Sequence, residues 1–190
     1  MLYGKYKKVR NASWQTLIDY RICTLPVQLS KICGTAGIQV IKNRAVRKLQ
    51  PGESGLSILQ NDIWYIIYDD TDTPQRVRFT IAHELGHIFL GHDMLYGYHT
   101  RRNNIAKPYA ETEADMYAAR LLAPACVLWA LGAETPEDIA RICNISMTAA
   151  YYRAERLVVL RSRGKFLTSP LERQVYEQFR EFVGNKKIPF

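Results

Sequence analysis

Residues 76–92 read RVRFTIAHELGHIFLGH, and the fold turns on this stretch. Phe79, Ile81, Leu85, Ile88 and Phe89 supply the apolar side of a buried helix, because the preceding β alternation gives way here to a period near 3.6. Within it His83-Glu84-Leu85-Gly86-His87 is an HExxH pentad. Residues four apart on a helix project from one face, so both imidazoles can bind one metal ion. Glu84 stands one position round, able to take a proton from water without competing for the metal. Gly91 closes the helix. His92 follows His87 by five residues and reads as a helix-end histidine on a different face from both ligands.

A catalytic zinc takes three protein ligands and keeps one position open, so a third donor is expected downstream. The segment 108–123, PYAETEADMYAARLLA, reads as a helix with Pro108 at its first position and offers Glu111, Glu113 and Asp115. On a helix Glu111 and Asp115 lie about 40° apart, whereas Glu113 is about 200° from Glu111. The Glu111 face continues through Ala114, Asp115, Ala118 and Leu122, small enough to lie close against the HExxH helix. Glu111 is therefore the expected third ligand and Asp115 the carboxylate that orients a ligand histidine, with Glu113 as the alternative ligand. Tyr96, Tyr98, His99 and Tyr117 are candidates by type for stabilising an oxyanion.

Before the pentad, residues 13–22 have helical spacing with Ser13 as N-cap, and Pro26 opens a short helix through Ile32. IQVIKN (38–43), GLSILQND (55–62) and IWYIIYDD (63–70) are β-branched and aromatic, and Asn61-Asp62 between the last two predicts a hairpin. Residues 43–54 read as a loop, and 93–107 as a long loop of the kind that lines a site. After the acidic helix, Thr135 caps EDIARIC, Asn144 marks a turn and Ser146 caps a helix running up to Gly164. That pair has the outline of a helix-turn-helix. In a DNA reader Met147, Thr148 and Tyr151 would face the groove, and Arg153, Arg156, Arg161, Arg163 and Lys165 would touch phosphate. A solvated or protein-facing basic surface is the preferred reading. The elements predict an α+β fold in three segments: a catalytic domain over 1–131, a helix-turn-helix-like segment over 132–165 and a helical tail over 166–190.

Composition bounds these readings. In 190 residues, 47% are hydrophobic and 23% charged, which excludes disorder and low-complexity classes. The net charge of +8 is laid out basic–acidic–basic, with the acidic middle holding the pentad. Cys23, Cys33, Cys126 and Cys143 have no CxxC spacing and read as free thiols in apolar surroundings. Neither an export signal nor an apolar run of spanning length is present, so a cytoplasmic protein is expected.

The string Arg78 to His87, followed by Glu111-Thr112-Glu113-Ala114-Asp115 and then by Ala118-Ala119-Arg120-Leu121-Leu122-Ala123-Pro124, resembles the ImmA/IrrE family of zincin-like metallopeptidases. The resemblance implies a zincin-like core with a small twisted sheet, zinc on His83, His87 and Glu111, and Glu84 as catalytic carboxylate. It further implies an intracellular endopeptidase that cleaves a regulatory protein, typically a helix-turn-helix transcriptional repressor. Asp115 stands where many relatives have Asn, and the 93–107 loop carries no matching motif. The alternative from another class is a metal-containing sensor that controls a repressor by docking or DNA contact without cutting it.

Overall fold

A computed structural model describes residues 3–92 and 108–186. The fold is α+β. A first compact unit comprises residues 1–12 and 29–118, and a second comprises 13–28 and 119–190.

Helix α1 (Tyr3–Asp19) begins ten residues earlier than the capping signal at Ser13 suggests. Ser13 is fully buried within the helix, and Val9 upstream of it is buried as well, so a buried apolar face extends beyond the segment read from periodicity. Pro26 likewise opens no helix: the Leu25–Pro26 peptide is cis, and α2 spans Leu29–Thr35.

In the first unit, β1 (Gln39–Lys42) is followed by one helical turn, α3 (Asn43–Val46), where a plain loop was expected. The Asn43 carboxamide oxygen accepts from the Lys48 and Leu49 amides at 2.9 and 3.0 Å, which holds that turn closed. β2 (Gly55–Gln60) and β3 (Ile63–Tyr68) form the expected antiparallel hairpin. Asn61 and Asp62 both take left-handed backbone angles, φ 51° and 58°, as a two-residue hairpin loop requires and as these two residue types tolerate. The sheet order is β1-β3-β2, with β1 parallel to β3. The centre falls to β3 because its Ile66 and Ile67 are buried, whereas β1 is largely exposed. β2 is left at an edge.

Helix α4 (Pro74–Leu90) packs on β2 and β3. Thr73 caps it by accepting from the Arg76 amide, Pro74 occupies its first turn, and Gly91 ends it at φ 73°. Helix α5 (Pro108–Leu122) carries the carboxylates. Gly86 makes the close approach of these two helices possible: a Cβ there would sit 3.1 Å from Ala114 Cα and 3.3 Å from Ala114 O. Those are backbone atoms, which cannot yield without moving α5. Gly86→Ala is therefore expected to cost about 1–3 kcal/mol, the usual range for overpacking. The check is a lowered thermal midpoint; an unchanged one would show that α5 shifts freely.

The second unit contains the latter part of α1 together with α6 (Ala125–Leu131), α7 (Pro136–Cys143), α8 (Met147–Ser162), α9 (Pro170–Gln178) and α10 (Arg180–Lys186). Its core includes Leu17, Ile22, Cys126, Leu128, Ile139, Leu157 and Phe179. The Gln178 amide donates to the Leu17 and Ile22 carbonyls, both at 2.7 Å, which ties α9 to the end of α1 and the turn after it. α7 and α8 have the expected caps: Thr135 accepts from the Asp138 amide, Asn144 turns at φ 50°, and Ser146 accepts from the Ala149 amide. All four cysteines are free thiols; Cys33, Cys126 and Cys143 are buried, and Cys23 departs from expectation by being exposed. Burial pushes the Cys33 thiol to about 11 and Cys126 to about 12, which makes both inert at neutral pH. The stretch Tyr109–Leu131 is long and apolar enough to cross a membrane, but most of it is buried inside the protein and Pro124 interrupts it.

Candidate metal centre

One turn of α4 separates His83 from His87, and their Nε2 atoms face each other at 2.9 Å. Glu111, from α5, brings Oε2 to 3.2 Å from His83 Nε2 and Oε1 to 3.5 Å from His87 Nε2. Among the described residues these three form the His/Cys/Asp/Glu group placed to hold an ion. The donor set fits a borderline transition metal. Zinc–nitrogen and zinc–oxygen bonds of about 2.0–2.2 Å at tetrahedral angles put ligand atoms about 3.3–3.6 Å apart, close to the separations found. Two imidazole nitrogens are also poor partners for magnesium or calcium, which take oxygen.

The three donors differ in exposure. His87 is wholly buried, the His83 side chain is 17% exposed and Glu111 48%. Burial works against charge on His83, but hydrogen bonds to Asp115 and Glu111, together with the nearby Glu84 carboxylate, outweigh it and hold its pKa up at about 9. His83 and then His87 hold the Glu111 carboxyl well below the usual carboxylate range. Asp115 Oδ1 lies 2.9 Å from His83 Nδ1, on the side of the ring away from the cluster.

Glu84 points from α4 toward the sheet. Its Oε2 accepts from the Ser57 hydroxyl of β2 at 2.7 Å, and both residues are buried. Gly55, two residues earlier on the strand, has no room for a side chain, because a Cβ would collide with Thr80 Cγ2 and come within 3.5 Å of Glu84 Oε1. A cleft of about 720 Å³ opens here, lined by Ser54, by Gly55 and Leu56 of the edge strand and by Phe79, His83, Glu84, Glu111 and Asp115.

Glu113 is not in the donor group. Its Oε2 lies 3.1 Å from His92 Nε2, while His92 Nδ1 lies 3.1 Å from His87 Nδ1. The helix-end reading of His92 missed this contact. Helical angles stop applying at Gly91, whose left-handed backbone turns the chain back toward His87. Tyr117 is fully buried, packed on Gly86 and edge-on to Phe89, so it does not face the cleft. Tyr96, Tyr98, His99 and the 93–107 loop lie outside the described residues.

The Peptidase_M78 family model, described as the IrrE N-terminal-like domain, matches residues 33–155. The chain belongs to this family. About two thirds of its length is matched, from α2 into α8, and the match includes every member of the cluster. An IrrE N-terminal-like domain is metallopeptidase-like, which agrees with a His-His-Glu group beside a buried glutamate in a cleft. No curated protein matches the chain.

In the helix-turn-helix-like pair, Arg153 and Arg161, which in a DNA reader would touch phosphate, are engaged within the protein. Arg153 Nε donates to the Ala123 carbonyl at 2.6 Å, and Arg161 pairs with Glu134 at 2.9 Å.

Proposed function

We propose that this chain is a zinc-dependent cytoplasmic endopeptidase that cuts a regulatory protein, most naturally a helix-turn-helix transcriptional repressor. The carrying observation is the convergence of His83, His87 and Glu111 beside Glu84 at the floor of a cleft walled by an open strand edge. His83, His87 and Glu111 would hold the metal. When bound, zinc supplies Lewis acidity, which makes water nucleophilic near neutral pH and polarises a carbonyl.

This chain's own groups do the rest. Glu84 takes the proton from the attacking water and later gives it to the leaving amine. The Ser57 hydroxyl, fixed on Oε2, orients the carboxylate. Asp115 holds the His83 ring by its outer nitrogen. The outer edge of β2, which no other strand pairs among the described residues, receives substrate as an added strand through main-chain hydrogen bonds, which asks little of substrate sequence beyond an extended segment. A regulatory protein would then be selected by contacts away from the cut. The basic second unit suits protein docking better than DNA reading, given that Arg153 and Arg161 are engaged.

The test is incubation of the zinc-loaded protein with a helix-turn-helix repressor, with fragments read by mass and Glu84→Gln as control. Discrete fragments from the wild type alone support the reading. An intact repressor that still forms a complex with the protein would favour a sensor that acts by docking.

Metal uptake should depend on pH through His83. Its proton must leave before Nε2 can serve as a donor, and its neighbours hold that proton up to a pKa of about 9. Zinc affinity, measured by chelator competition, is expected to rise by about tenfold per pH unit through neutrality and to flatten above pH 9. The metal-free protein should show the opposite trend. With His83 raised from 6.5 to about 9, the stability it contributes is complete below 6.5 and lost as pH rises through 9. A zinc affinity independent of pH across that window would exclude His83 as a donor.

A further inference from the structure

We infer that His92 and Glu113 are positioning residues that fix the tautomer in which His87 presents a bare Nε2 toward Glu111 and His83. This rests on the metal-centre reading above and concerns the side of His87 that faces away from the donors.

The argument is one of proton order. A carboxylate oxygen accepts, so His92 Nε2, 3.1 Å from Glu113 Oε2, carries a hydrogen and donates it. A neutral imidazole with its hydrogen on Nε2 has a lone pair on Nδ1. In that neutral form His92 accepts at Nδ1, and His87 Nδ1, 3.1 Å from His92 Nδ1, is the donor of the pair. With its single hydrogen on Nδ1, His87 is left with an unshared pair on Nε2, the atom that faces His83 and Glu111. One carboxylate thereby dictates the state of a ring it does not touch.

Burial makes the order effective. The His87 side chain is 0% exposed, His92 3% and Glu113 17%, so competition from water for these hydrogen bonds is weak. His83 has the simpler arrangement, with Asp115 directly on Nδ1. The two imidazoles are thus oriented by two carboxylates of α5, one in contact and one through an intervening histidine.

The experiment compares wild type, His92→Phe and Glu113→Gln. Histidine tautomers are read by nitrogen-15 NMR in the metal-free protein, and zinc affinity by chelator competition. His92→Phe keeps a ring of similar size and removes both nitrogens. Glu113→Gln keeps shape and puts an amide that can accept or donate where a carboxylate oxygen accepts, which removes the bias on the proton order, so it carries the test should the first variant fold poorly. In the wild type the hydrogen is expected on Nδ1 of His87 and on Nε2 of His92. Both variants should shift His87 toward its Nε2–H form and weaken zinc binding on the order of 10–100-fold, as loss of an outer partner of a ligand histidine does. Packing alone would not move the tautomer.

A wild type with the hydrogen on His87 Nε2 overturns the proposal. So do variants that keep both the His87 tautomer and the zinc affinity of a zinc-binding wild type, a result that leaves the metal centre standing. A folded wild type that takes up no zinc overturns the metal centre itself, and the relay's purpose with it.

Discussion

Glu84→Gln is expected to keep its metal and to lose cleavage by about 10²–10⁴-fold, the usual contribution of a positioned general base. The substitution is nearly isosteric, and the glutamine oxygen can still accept from the Ser57 hydroxyl, so the buried contact between α4 and β2 survives. The amide cannot take a proton from water. Glu84 is also not among the three donors, so metal stoichiometry should be unaffected. Rates on any protein the wild type cuts, measured beside bound zinc, separate the outcomes. Cleavage within tenfold of wild type would mean that another group handles the proton. A variant that loses its metal would place Glu84 among the ligands.

Glu111→Ala is expected to weaken zinc binding by well over the roughly 100-fold that loss of an outer partner can cost. Its carboxylate is the anionic donor of the group, within 3.2 and 3.5 Å of the two imidazole nitrogens, and its low pKa keeps it charged throughout the neutral range. Removing it leaves two neutral donors where a catalytic zinc needs three protein ligands. Glu111 is half-exposed and on the outer face of the cluster, so the fold should tolerate alanine. A folded variant that retains tight zinc would show the third donor to be elsewhere.

The front of the site was legible in the sequence because it rests on helical arithmetic. His83 and His87 stand four positions apart, as do Glu111 and Asp115, and that spacing puts each pair on one face whatever the surroundings. The hairpin was legible for a similar local reason, since Asn61 and Asp62 tolerate the left-handed angles the turn demands. The back of the site was not. His92 lies beyond Gly91, where helix angles no longer hold, and its partner Glu113 is 21 residues away across the 93–107 segment. About 200° of helix separates Glu113 from Glu111, which makes the two read as alternatives for one ligand position. In fact both carboxylates bear on the cluster, Glu111 at the donors and Glu113 behind them. The start of α1 was missed because Ser13 has the chemistry of an N-cap yet sits buried inside a longer helix, a case where packing overrides a local signal.

The most direct measurement is X-ray absorption at the zinc edge of protein loaded to saturation at pH 8, compared with Glu111→Ala. One equivalent of zinc is expected, with only nitrogen and oxygen neighbours at about 2.0–2.2 Å and the signature of two imidazoles. In Glu111→Ala the same loading should leave little zinc to observe. Sulfur neighbours at about 2.3 Å, or a spectrum and occupancy indifferent to Glu111, would contradict a centre built from His83, His87 and Glu111.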